Sequence, residues 1–252
     1  MIMPLGDDNS DRTMQPIVNY ALIALNVLVF VFFQGLGSNE KFTMAFSTVP
    51  AEIVSGRDIV TADQIAQDPA TGQTFDVPGL QPTPFSVYIT LLTSMFMHGG
   101  LAHIGGNMLF LWIFGDNLEN IMGHKKYLLF YLLTGIAASL AHVLTSVALD
   151  SGMDVPSLGA SGAISGVLGG YALLFPRRRV RVLMFNMLQE VPAFVAIGLW
   201  FVFQVISGLG MLGGRSEGVA YGAHIGGFVA GLLLVKFFTN KQQPGTFVGS
   251  IG

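Results

Sequence analysis

Residues 159–175 read GASGAISGVLGGYALLF. The run is apolar, stops at Pro176 and the basic stretch Arg177-Arg178-Arg179, and carries Ser161 and Ser165 among glycines at its head. Fifteen residues separate Ser161 from Pro176, a rise of roughly 22 Å in an α-helix. The hydrocarbon core of a bilayer is about 30 Å thick. A helix pinned by the basic run therefore begins at Ser161 inside the membrane's thickness, and the preceding DSGMDVPSL must dip to meet it. Irregular backbone is tolerated at such depth only where protein or water surrounds it. Taken alone, the small residues suit close helix packing. A serine at that place is also a candidate nucleophile, and the rest of the chain has to decide.

The chain has 252 residues, 52% hydrophobic and only 11% charged. Soluble domains carry roughly 25% charged residues, so this composition describes an all-α integral membrane protein. Six apolar runs, 16–35, 97–115, 126–149, 160–175, 190–212 and 219–238, reach or approach the ~20 residues that cross a bilayer. The chain divides into a short N-terminal segment (1–15), one membrane domain (16–238) and a short tail (239–252), expected to be disordered. Within the domain the long connection 36–96 holds apolar pieces suited to the interface and a polar, turn-rich middle. Residues 1–15 carry Asp7, Asp8 and Asp11 against Arg12, which is no signal peptide, so the first run reads as a retained helix. With no cysteine, disulfides, thiolate metal sites and a cysteine nucleophile are excluded. No basic face suggests nucleic acid.

Lysine and arginine set the orientation. Six spans put both termini on one side, with Arg12, Lys125, Lys126, Arg177, Arg178, Arg179, Arg181, Lys236 and Lys241. The other side receives Lys41, Arg57 and Arg215. The termini are expected in the cytoplasm and the 36–96 loop outside it. The run 177–181 reads as a topology anchor.

Counting from the cytoplasmic ends, His224 lies roughly 18 Å up, twelve residues before Lys236, and His103 roughly 20 Å up, thirteen before Asp116. Asn107 shares a face with His103 at i, i+4. Ser161, His224, His103 and Asn107 thus gather at one depth, toward the extracytoplasmic side. Polar groups inside a span face the bundle interior and mark function. Gly162 and Gly166, Gly222 and Gly226, and Gly227 and Gly231 have the four-residue spacing that lets backbones approach. If spans four and six meet through those faces, Ser161 comes within reach of His224.

That set suits acyl transfer. A serine hydroxyl needs a base, a neutral imidazole is the natural one near pH 7, and the oxyanion needs preorganised donors. The Ser161 N–H, the Asn107 amide and the His103 imidazole are candidates, with a purely structural hydrogen bond as the rival reading of His103 and Asn107. A cross-helix structural bond is the rival for His224. No acidic residue lies deep enough to orient His224, so a Ser-His dyad is expected, with glycine-rich backbone packing to hold the ring. His98 reads as ordering the mouth of span two, His142 as a satisfied core residue, and His124 as a loop residue. Asn19 and Asn26 read as glue between helices.

The sequence resembles the rhomboid family of intramembrane serine proteases. The resemblance rests on Gly159-Ala160-Ser161-Gly162, on His224 in Ala223-His224-Ile225-Gly226-Gly227, on His103/Asn107, and on MHGGLAHIGGNMLFLWIFGDNLE, over about residues 16–238. It implies six helices with the oxyanion residues on span two, nucleophile on span four and base on span six, around a water-accessible cavity toward the outer side. It implies cleavage of single-pass membrane substrates in or near their transmembrane segment, without metal or cofactor. Two features depart from the family pattern. The first loop has no Trp-Arg pair, since Trp112 and Trp200 lie in spans, and Ser165 stands where some members place an aromatic. The stretch GLGMLGGRSEG before span six is expected to act as a lid. An aspartyl or zinc intramembrane protease fits poorly, the latter for want of H-E-x-x-H. The runner-up is a rhomboid-like non-enzyme that escorts membrane proteins, and a small transporter comes third. A compact chain without a transit peptide favours a prokaryotic cytoplasmic membrane. Substrate identity and oligomeric state are not encoded in any motif.

Overall fold

A computed structural model describes residues 2–67, 72–184, 186–211 and 220–239. Its helices are turned inside out relative to a water-soluble protein. In α1 (Ile17–Phe33) the stripe Asn19, Leu22, Asn26 and Phe30 is buried, while Ile17, Leu28, Phe32 and Phe33 are half or more exposed. Leu144, Leu233 and Phe237 are likewise exposed on later helices. Apolar surface of this extent is untenable in water and is the natural outer face in lipid, where polar side chains turn inward.

An apolar helix stands at each of the six expected spans: α1, then α5 (Leu101–Met122), α6 (His124–Leu149), α7 (Ser161–Leu174), α8 (Ala193–Met211) and α9 (Tyr221–Phe238). Between them the long connection folds as α2 (Glu40–Ala45), α3 (Pro50–Ser55) and the helical turns of α4 (Val87–Phe96). Among the described residues two helices, α6 and α9, are long and apolar enough to cross a bilayer, and α4 with α5, bent by 80°, makes a third if the pair is taken as one span. The described apolar parts of α1, α7 and α8 are shorter.

At the centre is α7, with every residue from Gly162 to Tyr171 buried. It meets α9 main chain to main chain. A Cβ on Gly227 would strike the Gly162 carbonyl, and one on Gly231 the Gly166 carbonyl. Gly222 and Gly226 serve another neighbour. They face Thr145 and Ala141 of α6, not α7. The reason is angular: adjacent positions sit 100° apart around a helix, so Gly226 points at α6, while Gly227 meets α7 first and Ala138 of α6 only at 3.2 Å.

Buried polar groups tie the helices at the basic end. Glu119 of α5 is fully buried and accepts the Val18 and Asn19 N–H groups at 2.9 and 2.7 Å. It thereby caps α1, whose own N-cap is Pro16. Asn19 bridges helices as expected, donating to the Leu111 carbonyl (2.9 Å) and accepting from the Tyr127 hydroxyl (2.7 Å). Asn26 donates to its own helix, at the Leu22 carbonyl. His124 opens α6 instead of lying in a loop, its Nδ1 2.5 Å from Glu119.

The all-α expectation holds for the bundle but misses its β-structure. β1 (Ile2–Asp7) pairs antiparallel with β4 (Arg179–Met184), from Ile2 opposite Met184 to Asp7 opposite Val180, with an irregularity between Pro4 and Gly6. β4 also pairs with β5 (Met187–Pro192), which runs straight into α8. Val180 and Val182 are fully buried beneath this sheet. The sheet replaces the polar tail expected at 1–15 and the first turn of the fifth span. The basic run is more than an anchor. Arg178 bonds Asp11 and Asn117, and Arg12 bonds Asp116 at 2.9 Å. Inside the 36–96 loop, β2 (Gln64–Gln67) and β3 (Thr74–Val77) form a separate hairpin from its polar middle. The tail from 240 on and residues 212–218 of the expected lid lie outside the described residues, while its first four residues, 208–211, belong to α8.

Candidate functional site

Ser161 is delivered by a turn that only glycine adopts freely. Leading into it, Ser157 exchanges backbone hydrogen bonds with Thr48 (2.9 and 2.8 Å), so the long loop holds the approach. Thr48 Oγ1 in turn donates to the Thr90 carbonyl (2.8 Å). The Gly159 N–H donates to the Ser94 carbonyl at 2.8 Å. Gly159 itself has φ +121°, a conformation that side chains oppose. A Cβ there would also lie 2.8 Å from His103 Nε2. Gly159 is thus a turn residue against His103, not the helix-packing glycine the sequence suggested. Ser161 then opens α7, so its backbone N–H belongs to the first turn, which has no intrahelical acceptor.

The α7–α9 seam brings Ser161 Oγ to 2.8 Å from His224 Nε2. On the far side of the imidazole, Nδ1 lies 2.7 Å from Gln204 Oε1 on α8. An amide oxygen only accepts, and with a proton on Nδ1 to give it, Nε2 is left to offer its lone pair to the Ser161 hydroxyl. Trp200 and Tyr221 flank the ring, their centroids 6.2 and 6.4 Å away. They stand near the imidazole where an aromatic at 165 was missing. Ser165 turns back to its own helix, donating to the Ser161 carbonyl at 2.6 Å.

His103 Nδ1 accepts the Gly99 N–H at 3.3 Å, which leaves the proton on Nε2, the nitrogen that faces Gly159. One turn along α5, the Asn107 amide nitrogen is buried without a partner among the described residues. A buried orphan donor is the group an anion would satisfy. His98 orders the mouth of α5. Its main chain is clamped by Gln34 (3.0 and 2.9 Å) and its ring stands edge-on to His103 at 5.2 Å. His142 is not the satisfied core residue expected, since its buried Nε2 has no partner among the described residues.

The sequence reading missed Gln204. Its one signal is a lone amide in the apolar stretch LWFVFQVIS. It also missed the support given by Thr48 and Ser94, which no local pattern announces.

The bundle is thus a helical membrane protein with a hydrogen-bonded serine and histidine at the meeting of its two glycine-lined helices. It belongs to the rhomboid family, whose rhomboid-domain model matches residues 86–241. It is 34% identical over 152 residues to "Rhomboid protein 1, mitochondrial" of Saccharomyces cerevisiae, covering 58% of this chain and 40% of that one. It is 30% identical over 163 residues to "Presenilin-associated rhomboid-like protein, mitochondrial" of Homo sapiens, covering 58% and 42%. "Rhomboid protease GluP" of Bacillus subtilis is 29% identical over 217 residues, covering 84% and 35%. The matches span about two fifths or less of these relatives' lengths.

Proposed function

We propose that this chain is an intramembrane serine endopeptidase that cleaves single-pass membrane proteins in or near their transmembrane segment. The observation that carries the reading is the 2.8 Å hydrogen bond between Ser161 Oγ and His224 Nε2, within a family that includes a named protease. His224 Nε2 takes the hydroxyl proton as Oγ attacks the scissile carbonyl carbon. The carbonyl π-pair moves onto oxygen, where the Ser161 N–H, the Asn107 amide and His103 Nε2–H donate to it. On collapse, the C–N bond breaks and the new imidazolium protonates the leaving amine. Water, deprotonated by His224, then hydrolyses the acyl-enzyme. A helical substrate hides its carbonyls in hydrogen bonds, so the segment has to unwind at the scissile bond.

The reading includes cytoplasmic termini in a prokaryotic cytoplasmic membrane and a site opening toward the other side. The chain lacks cysteine, so single cysteines placed at Lys41 and at Arg179 report sidedness directly. The activity test is labelling by a fluorescent serine-reactive phosphonate in membranes, joined to cleavage of a single-pass substrate in a bilayer. Both are expected in the wild type and absent from Ser161→Ala and His224→Ala. Labelling that survives Ser161→Ala refutes the site. A wild type that neither labels nor cleaves leaves the non-proteolytic escort as the better reading.

A further inference from the structure

We propose that Gln204 is the positioning residue of this site, completing a Gln–His–Ser relay in which α8 sets the tautomer of the base. The inference rests on the protease reading above. Its observation is separate: the 2.7 Å contact between His224 Nδ1 and Gln204 Oε1, with Gln204 buried to 7% exposure.

An imidazole has two neutral tautomers, and only one serves as base toward Ser161. With the proton on Nδ1, the Nε2 lone pair receives the serine hydrogen. With the proton on Nε2, the imidazole donates to Ser161 and cannot take its proton. An acidic residue usually enforces the choice in serine hydrolases, fixing the ring and the tautomer and balancing the imidazolium. Among the described residues the His224 ring bonds Ser161 and Gln204, and no acid. The Gln204 carbonyl supplies the first two services and not the third. It does so without burying a second charge, which would be costly in this setting. Through this bond α8 reaches the chemistry, beside the ring of Trp200 on the same helix. The amide can present its NH2 group if it rotates by half a turn. Then Nδ1 accepts, the proton moves to Nε2 and the pair is idle.

The first test reads the tautomer in the wild-type protein. Imidazole 15N shifts in lipid nanodiscs, with the His224 signals identified by their loss in His224→Ala, are expected to show the Nδ1–H form. A dominant Nε2–H form overturns the proposal whether or not any variant folds. The second test compares Gln204→Met, which keeps length without a strong acceptor, with Gln204→Glu, which keeps the acceptor. Expected are a tenfold or greater loss of kcat in Gln204→Met with KM unchanged, and recovery to within about threefold in Gln204→Glu. The rate of Ser161 labelling by the small phosphonate should fall in step with kcat. If Gln204 only holds α8 in place, KM moves instead and small-probe labelling stays at the wild-type rate, which overturns the inference. Wild-type labelling at Ser161 with an unaffected Gln204→Met refutes the relay and leaves the protease reading standing. Absence of wild-type labelling at Ser161 refutes both.

Discussion

Replacing Gly159 by alanine should damage catalysis far more than folding, through His103. The new Cβ would sit 2.8 Å from His103 Nε2, where ordinary contact begins at 3.4 Å. The ring must therefore retreat by about 0.6 Å, the difference between those two distances. Among the described residues one hydrogen bond holds the ring, the 3.3 Å contact from the Gly99 N–H, so little resists the movement. A misplacement of about 1 Å in a site can cost about 10²-fold, which puts the loss here at about 10- to 100-fold in kcat. The φ of +121° adds strain of about 1–3 kcal/mol, felt mainly as reduced stability. The assay is a double-mutant cycle on kcat with His103→Ala as the second change. With the imidazole gone, the alanine at 159 has nothing to displace, and the double variant should stay within about threefold of His103→Ala. Losses that multiply in the double variant would mean that Gly159 acts independently of His103, and the reasoning would fail.

Gly231→Ala should separate α7 from α9, because its Cβ meets the Gly166 carbonyl. Proteolysis should drop at least about tenfold, whereas Gly198→Ala, with open space around it, should leave activity unchanged, as measured side by side in nanodiscs. Glu119→Ala orphans the Val18 and Asn19 N–H groups at about 1–3 kcal/mol each, and Glu119→Gln should lose less; thermal unfolding ranks the two. Burial pushes the Asp7 carboxyl up from 3.8 to about 7, although bonds from Tyr171 and Asn117 pull the other way. The folded state then binds this proton more tightly than the unfolded one. Stability from this source is greatest below about pH 4, declines as pH rises through about 7, and levels off above it. The unfolding midpoint of the wild type should fall from pH 5 to 8 relative to that of Asp7→Asn, and parallel curves would refute the assignment.

The helices were readable because membrane helices are written in composition and length, which need no partner to interpret. Rise per residue and charged ends put Ser161 and His224 at one level, and the two meet; His103 was counted from Asp116, although α5 runs on to Met122. The glycine spacings announced close packing but not its direction, so Gly222 and Gly226 were assigned to the wrong neighbour. The sheet failed to register for a different reason. Arg179-Val180-Arg181-Val182 alternates as a strand should, yet its charges invite a topological reading, and its partner β1 lies at the other end of the sequence. Gln204 was legible only as a lone polar residue in a span, without its role. A single amide in an apolar helix acquires meaning only when the facing helix delivers an imidazole to it.

The glycine seam between α7 and α9 has a thermal consequence. A contact made of main chain has no χ angles and so no rotamers among which to hop. Side-chain packing elsewhere in the bundle loosens on warming as such states become populated. The separation between Ser161 and His224 is instead set by rigid peptide planes, at Gly162 beside the serine and at Gly227 three residues past the histidine. The spacing of the reacting pair is thereby insulated from the softness of the lipid-facing helices around it.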